Sequence, residues 1–257
     1  MACVMQLAAC NSSSETAFTW ERVTADKQVP LTGDADSPQC NVHLSIYYAA
    51  ADSTQPAATA INETLQQQLL ELTGLPMQAA ADSFAAKYTA DYRRNMTPLY
   101  RDDKGEPEKH PWYQYHYTID TTTEPGREGV TVYKAEVDYY EGGAHGINQL
   151  LVMNFDNQSG HCYTLSDVFV PGFESQLNDL LLTRLMRQTD SYSREQLQEK
   201  GYLYSMEIFP PENFKLGADA ITFVYNPYEI APYALGSIEL IITYSEISQI
   251  LNSAFKH

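Results

Sequence analysis

His145 follows Asp138 and Glu141 closely, inside the run Tyr139-Tyr140-Glu141-Gly142-Gly143-Ala144-His145-Gly146. An imidazole that titrates near neutral pH beside carboxylates can shuttle a proton, and His116 from a nearby strand could assist it. The same groups could hold a metal ion only if three or four ligands converged, and no ligand spacing such as H-E-x-x-H is present. The alternative is structural. Gly142, Gly143 and Gly146 mark a hinge where the chain turns sharply or approaches another group, and His145 would pin that hinge by hydrogen bonding.

A second stretch, Tyr225-Asn226-Pro227-Tyr228-Glu229-Ile230-Ala231-Pro232-Tyr233, carries tyrosines at a proline-shaped turn. Tyrosine combines a flat apolar ring with a polar tip, which suits a sugar ring or a protein surface. In the structural alternative these residues only make a rigid connection between two strands. The candidates for ligand binding are therefore Tyr140, Glu141, His145, Tyr228, Glu229 and Tyr233. No G-x-S-x-G elbow and no glycine-rich phosphate cradle occurs, so no catalytic residue, metal or cofactor is expected.

The cysteines divide by position. Leu7-Ala8-Ala9-Cys10 resembles the lipobox of bacterial lipoproteins, in which the cysteine becomes lipidated, although residues 1–10 form a short leader without Lys or Arg. The polar run from Asn11 to Glu15 suits the tether after such an anchor. The membrane is then reached through the lipid alone, and the body is extracytoplasmic, in the periplasm or on the cell surface. Cys40 and Cys162 remain as an even pair, for which a disulfide or two unpaired thiols are both open.

The chain carries 33 acidic against 16 basic residues, a formal charge of −17. Such a balance repels a phosphate backbone and disfavours nucleic acid, while a cationic protein or peptide would be attracted.

Periodicity places these residues on elements. After a linker to residue 39, with one short strand around Trp20 to Val23, Val42, Leu44, Ile46 and Tyr48 alternate as a strand. Ile61, Leu65, Leu69 and Leu72 form one helical stripe, closed by Gly74 and Pro76. Phe84, Tyr88, Tyr92 and Met96 form another, which Pro98 ends or kinks. Strands centred on Tyr117, Val137 and Leu151, with a short fourth at His161 to Thr164, give an antiparallel meander. A helix with Leu177, Leu181 and Leu185 follows, then strands around Phe223 and Leu240, then a last helix with Ile247, Ile250, Leu251 and Phe255, capped by Ser245. Strands and helices are segregated, so the expected class is α+β: an antiparallel meander with helices on one face. Two intimately packed parts are expected, residues 40–158 and 159–257.

Three segments in this order resemble a known family: Tyr139 to His145, Asn154-Phe155-Asp156 through Leu165-Ser166-Asp167-Val168-Phe169, and Phe223 to Gly236. They are similar to the paired extracytoplasmic domains named after the PdaC peptidoglycan deacetylase, which also form the sensor of RsiV-type, lysozyme-binding anti-sigma factors. The resemblance spans roughly residues 40–252. It implies a binding or sensing module of the cell envelope, with a lysozyme-like protein or peptidoglycan fragments as ligand. The deacetylase domain and the sigma-binding segment of those relatives find no counterpart in this sequence, so catalysis is not implied. Two other readings stay open: an enzyme acting on cell-wall glycan through His145 and nearby carboxylates, and a structural subunit of a surface complex.

Overall fold

The computed structural model describes residues 18–50 and 56–256. Cys10, the leader and the whole tether from Asn11 to Glu15 lie outside the described residues. The chain forms two sheets, each with helices packed against it.

The first sheet has five strands in the order β1-β2-β3-β4-β5. β1 (Trp20–Pro30) and β2 (Gln39–Ala49) form an antiparallel hairpin, closed where the Leu31 N–H donates to the Pro38 carbonyl at 2.8 Å. The expected linker with a short strand is thus corrected to an eleven-residue edge strand. Val23, Ala25 and Val29 are its buried residues.

Two helices then cross over, α1 (Pro56–Leu70) and α2 (Met77–Asp102). That crossover lets β2 pair in parallel with β3 (Tyr115–Pro125), since parallel neighbours need a long connection. Ile61 and Leu65 of α1 are fully buried, each contributing roughly 1.5–3 kcal/mol by leaving water. α2 does not end at Pro98 but runs on to Asp102 with the proline inside it. β3, β4 (Val130–Tyr140) and β5 (Ile147–Asp156) complete the sheet as an antiparallel meander. The expected fourth meander strand reduces to a single bridge between Phe155 and Cys162.

The second part begins with the single-turn α3 (Leu165–Val168), closed by a Thr164/Asp167 capping box. α4 (Glu174–Gln188) buries Leu177, Leu181 and Leu185, and α5 (Arg194–Glu199) follows. The second sheet is β6 (Phe214–Leu216), β7 (Ala220–Tyr225) and β8 (Ile238–Thr243), all antiparallel. The expected terminal helix is replaced by consecutive turns. Ser245 caps nothing there; the Thr243 N–H donates to the Glu246 carboxylate, and Leu251 bridges to Phe169. The architecture is α+β, with a mostly antiparallel first sheet.

Cys40 and Cys162 are both free thiols. Topology explains it. Cys40 pairs with Tyr115 at the start of β3, whereas Cys162 lies beside Phe155, which is in register with Thr131 and through it with Pro125 at the far end of β3. That strand length is roughly 30 Å, far beyond the reach of a disulfide. Burial pushes the Cys40 thiol up to about 12 and the Cys162 thiol up to about 11, so both stay protonated at neutral pH.

Asparagine side chains join the two sheets. β5 and β6 exchange no ladder bonds; instead the fully buried Asn154 donates to the Phe214 carbonyl at 2.7 Å and accepts from the Leu216 N–H at 2.8 Å. In the other direction Asn213 accepts from Val152 N–H at 2.7 Å and donates to the Leu150 carbonyl, and Asn226 accepts from Leu150 N–H at 2.8 Å. A primary amide offers one donor face and one acceptor face, as a peptide does, so each asparagine extends the edge of a sheet. Glu124 of β3 adds ion pairs to Lys134 of β4 and Lys215 of β6.

Candidate functional site

At the end of β7 the chain makes a tight loop. Asn226 N–H donates to the Glu229 carboxylate at 2.7 Å, Glu229 N–H to the Asn226 carbonyl at 3.1 Å, and Tyr228 N–H to the Ala231 carbonyl at 3.0 Å. Burial moves the Glu229 carboxyl upward, against the Asn226 hydrogen bond, so this residue shapes the loop. The loop forces Tyr228 to φ 74°, a left-handed conformation unfavourable for an aromatic residue, and leaves its ring 56% exposed.

Tyr233 opens a short 3-10 turn (Tyr233–Leu235), and its ring lies 5.8 Å from that of Tyr228. On its other side Tyr233 stacks on His145 at 5.6 Å with an interplanar angle of 7°. The two sequence segments singled out for chemistry therefore meet, one from the β4–β5 loop of the first sheet and one from the β7–β8 connection of the second. Together they make a continuous aromatic face, Tyr228, Tyr233 and His145.

The glycine hinge places His145 there. Gly142 (φ 85°) and Gly143 (φ 92°) are both left-handed, and a Cβ on Gly142 would come within 2.8 Å of the Trp112 carbonyl oxygen. His145 does not pin the hinge: it makes no hydrogen bond among the described residues, and the loop is tied instead by Tyr140, whose hydroxyl donates to the Gly143 carbonyl at 2.8 Å. Tyr140 also stacks on His116.

The groups that could have formed a general base with His145 are committed elsewhere. Asp138 pairs with His116 at 2.7 Å, and Glu141 accepts the Tyr88 hydroxyl at 2.7 Å. Among the described residues no group of three or more His, Cys, Asp or Glu side chains could hold a metal ion.

Sequence patterning did not single out two neighbours of Tyr228. Tyr204, 81% exposed, and the exposed Met206 line a shallow hollow of about 180 Å³ against Tyr228 and Pro232. Both lie in the segment after α5, where no periodicity marks them; the clue available was a tyrosine without a periodic partner.

What emerges is a two-sheet α+β protein with an exposed aromatic face at the junction of its halves. Residues 166–245 match a family described as a protein of unknown function, DUF3298. The whole described fold is similar to the crystal structure of a DUF3298 family member from Bacteroides fragilis, with 28% identity, a TM-score of 0.85, and 93% of this chain and 95% of that chain covered. A DUF3298 family protein from Pseudomonas aeruginosa PAO1 shares the fold at 20% identity and a TM-score of 0.61, covering 93% of this chain and 96% of that one. No curated protein matches the sequence. Among the described residues no helix is long and apolar enough to cross a membrane.

Proposed function

We propose that this protein is a non-catalytic binding module of the bacterial cell envelope, anchored through a lipid on Cys10, whose Tyr228–Tyr233–His145 face takes a cationic protein such as lysozyme. The carrying observation is Tyr228, held at φ 74° with its ring outward. A loop that only connects two strands needs no tyrosine in that conformation, and backbone strain of ~1–3 kcal/mol persists where the surroundings over-determine it, commonly at binding sites. The charge of −17 supports a cationic partner, and the PdaC-like and RsiV-like motifs supply the ligand class. A cell-wall glycan would use the same flat rings, and it forms the second arm of the test.

Isothermal titration against a cationic lysozyme is expected to show one-to-one binding that survives physiological salt, where unspecific attraction over distances beyond ~8 Å is screened. Tyr228→Ala should weaken that binding about thirtyfold, the loss of a central anchor worth ~2 kcal/mol. Heat seen only at low salt would overturn the lysozyme reading. Soluble peptidoglycan fragments titrated in parallel then decide whether the face takes glycan.

A further inference from the structure

A second cleft, of about 590 Å³ and sharing no lining residue with that face, opens between α2 and the first sheet at Glu141, within the usual range for small-ligand sites. Its walls come from α2 (Phe84, Tyr88), β3 (Tyr117) and β4 (Tyr139). The rings form one set: Tyr88 and Phe84 lie 5.0 Å and 5.2 Å from Tyr117, and Tyr139 stacks on Tyr117 at 5.5 Å. Helical spacing makes the Phe84/Tyr88 stripe look like core, but both rings stay half-buried and face this space.

Three carboxylates and one ammonium line the same cleft: Glu71, Glu141, Asp91 and Lys87. Lys87 is tied to Asp91 at 2.9 Å, and Asp91 also pairs with Arg94 at 2.6 Å. Glu141 has only the Tyr88 hydroxyl as partner, and Glu71 has no ion pair or hydrogen bond among the described residues. Both carboxylates act on Tyr117, which burial first, then Tyr139, Glu141 and Glu71, push up to about 12. Glu71 and Glu141 thus stand without an ion-pair partner among the described residues, against tyrosine faces whose quadrupoles are also negative.

Glu71 is retained against two local preferences. It follows α1 at φ 54°, the left-handed conformation for which glycine is the usual residue after a helix, with Leu72 N–H donating to the Gln66 carbonyl at 3.2 Å. An acidic side chain at a helix C-terminus also opposes the macrodipole. Folding alone would favour glycine at this position. The carboxylate at the mouth of the cleft is the feature that glycine would remove.

We propose that this cleft binds an organic cation, its ammonium or guanidinium group lodged on the tyrosine rings between Glu71 and Glu141. Aromatic faces and unpaired carboxylates attract the same charge, and a positive group on an apolar body fits both. The site is independent of the Tyr228 face and of its ligand.

The test is titration of the protein with choline and with its uncharged carbon isostere, 3,3-dimethylbutan-1-ol. Choline is expected to bind about tenfold more tightly or better, because the isostere fills the same volume without charge. Glu141→Gln keeps an acceptor for Tyr88 and removes the charge, and should weaken choline about fivefold. Glu71→Gly should weaken it similarly while raising Tm by roughly 2–4 °C. Tyr228→Ala should leave choline binding as it is. N-acetyl-lysine methylamide, titrated beside choline, separates the sources: tighter binding of the amide points to a side chain on a macromolecule, tighter binding of choline to a free small cation. Equal affinity for choline and its isostere, no binding of either cation, or choline affinity unmoved by both carboxylate variants would overturn the proposal.

Discussion

Replacing Asn154 by leucine is expected to destabilise the protein by about 3–5 kcal/mol, measured by urea unfolding. The side chain is fully buried and serves both the Phe214 carbonyl and the Leu216 N–H. Leucine is close in volume, so the cost is not a cavity. It is two buried backbone groups left without partners, each worth about 1–3 kcal/mol. Asn154→Asp offers a control with a sign. Aspartate can still accept from Leu216 N–H but, once ionised, faces the Phe214 carbonyl with like charge in a dry site. Burial would raise its folded pKa, so this variant should be less impaired at pH 4 than at pH 7, the stability falling as pH rises through the folded value. Asn213→Ala and Asn226→Ala should couple non-additively, because both side chains serve the backbone of Leu150.

This junction explains which parts of the fold were legible in the sequence. Alternation and helical stripes are local consequences of burial on one face, and they located β2, β3, β4, β5, α1, α2 and α4. The edge strand β1 was legible only as a fragment. Its inward residues are small or sparse (Val23, Ala25, Val29), its outward ones are polar, and Pro30, Gly33 and Asp34 suggest a break. The terminal stretch shows the converse error: Ile247, Ile250 and Leu251 have helical spacing, yet they pack as consecutive turns against the second core. Non-local facts left no trace in periodicity. The parallel β2–β3 pairing, the separation of the two cysteines and the asparagine splices all depend on where distant segments meet. So does the site. Residue types marked Tyr228, Tyr233 and His145 individually, and tertiary structure made them one face. Glu71 escaped because Gly74 and Pro76 looked like the end of the helix, whereas α1 stops at Leu70.

Gly160→Ala should lower Tm by roughly 10 °C, a loss of about 3–5 kcal/mol in a protein of this size. Gly160 closes the Asp156–Gly160 turn after β5 at φ 74°, where any side chain is strained. A Cβ there would also lie 2.8 Å from the Ala57 carbonyl carbon and 2.9 Å from its Cα, and closer still to its oxygen. All three are backbone atoms of the first turn of α1, so relief requires the helix to move or fray. The turn cannot yield instead. The Asp156 carboxylate accepts from Gln158 N–H, Ser159 N–H, the Ser159 hydroxyl and the Tyr163 hydroxyl. Against the upward pull of burial, these bonds hold its carboxyl below the ordinary aspartate range. Its contribution is therefore present above the unfolded aspartate pKa of ~3.9 and is lost as pH falls through the lower folded value; Asp156→Asn should flatten that acid limb. The consequence reaches the cleft, because α1 starts against Gly160 and ends next to Glu71. In Gly160→Ala a displaced α1 carries Glu71 with it, so choline binding should weaken together with Tm. If Tm falls and choline binding holds, the strain is absorbed by fraying at Pro56 to Ala58, and α1 positions Glu71 from its packed Ile61 and Leu65 onward.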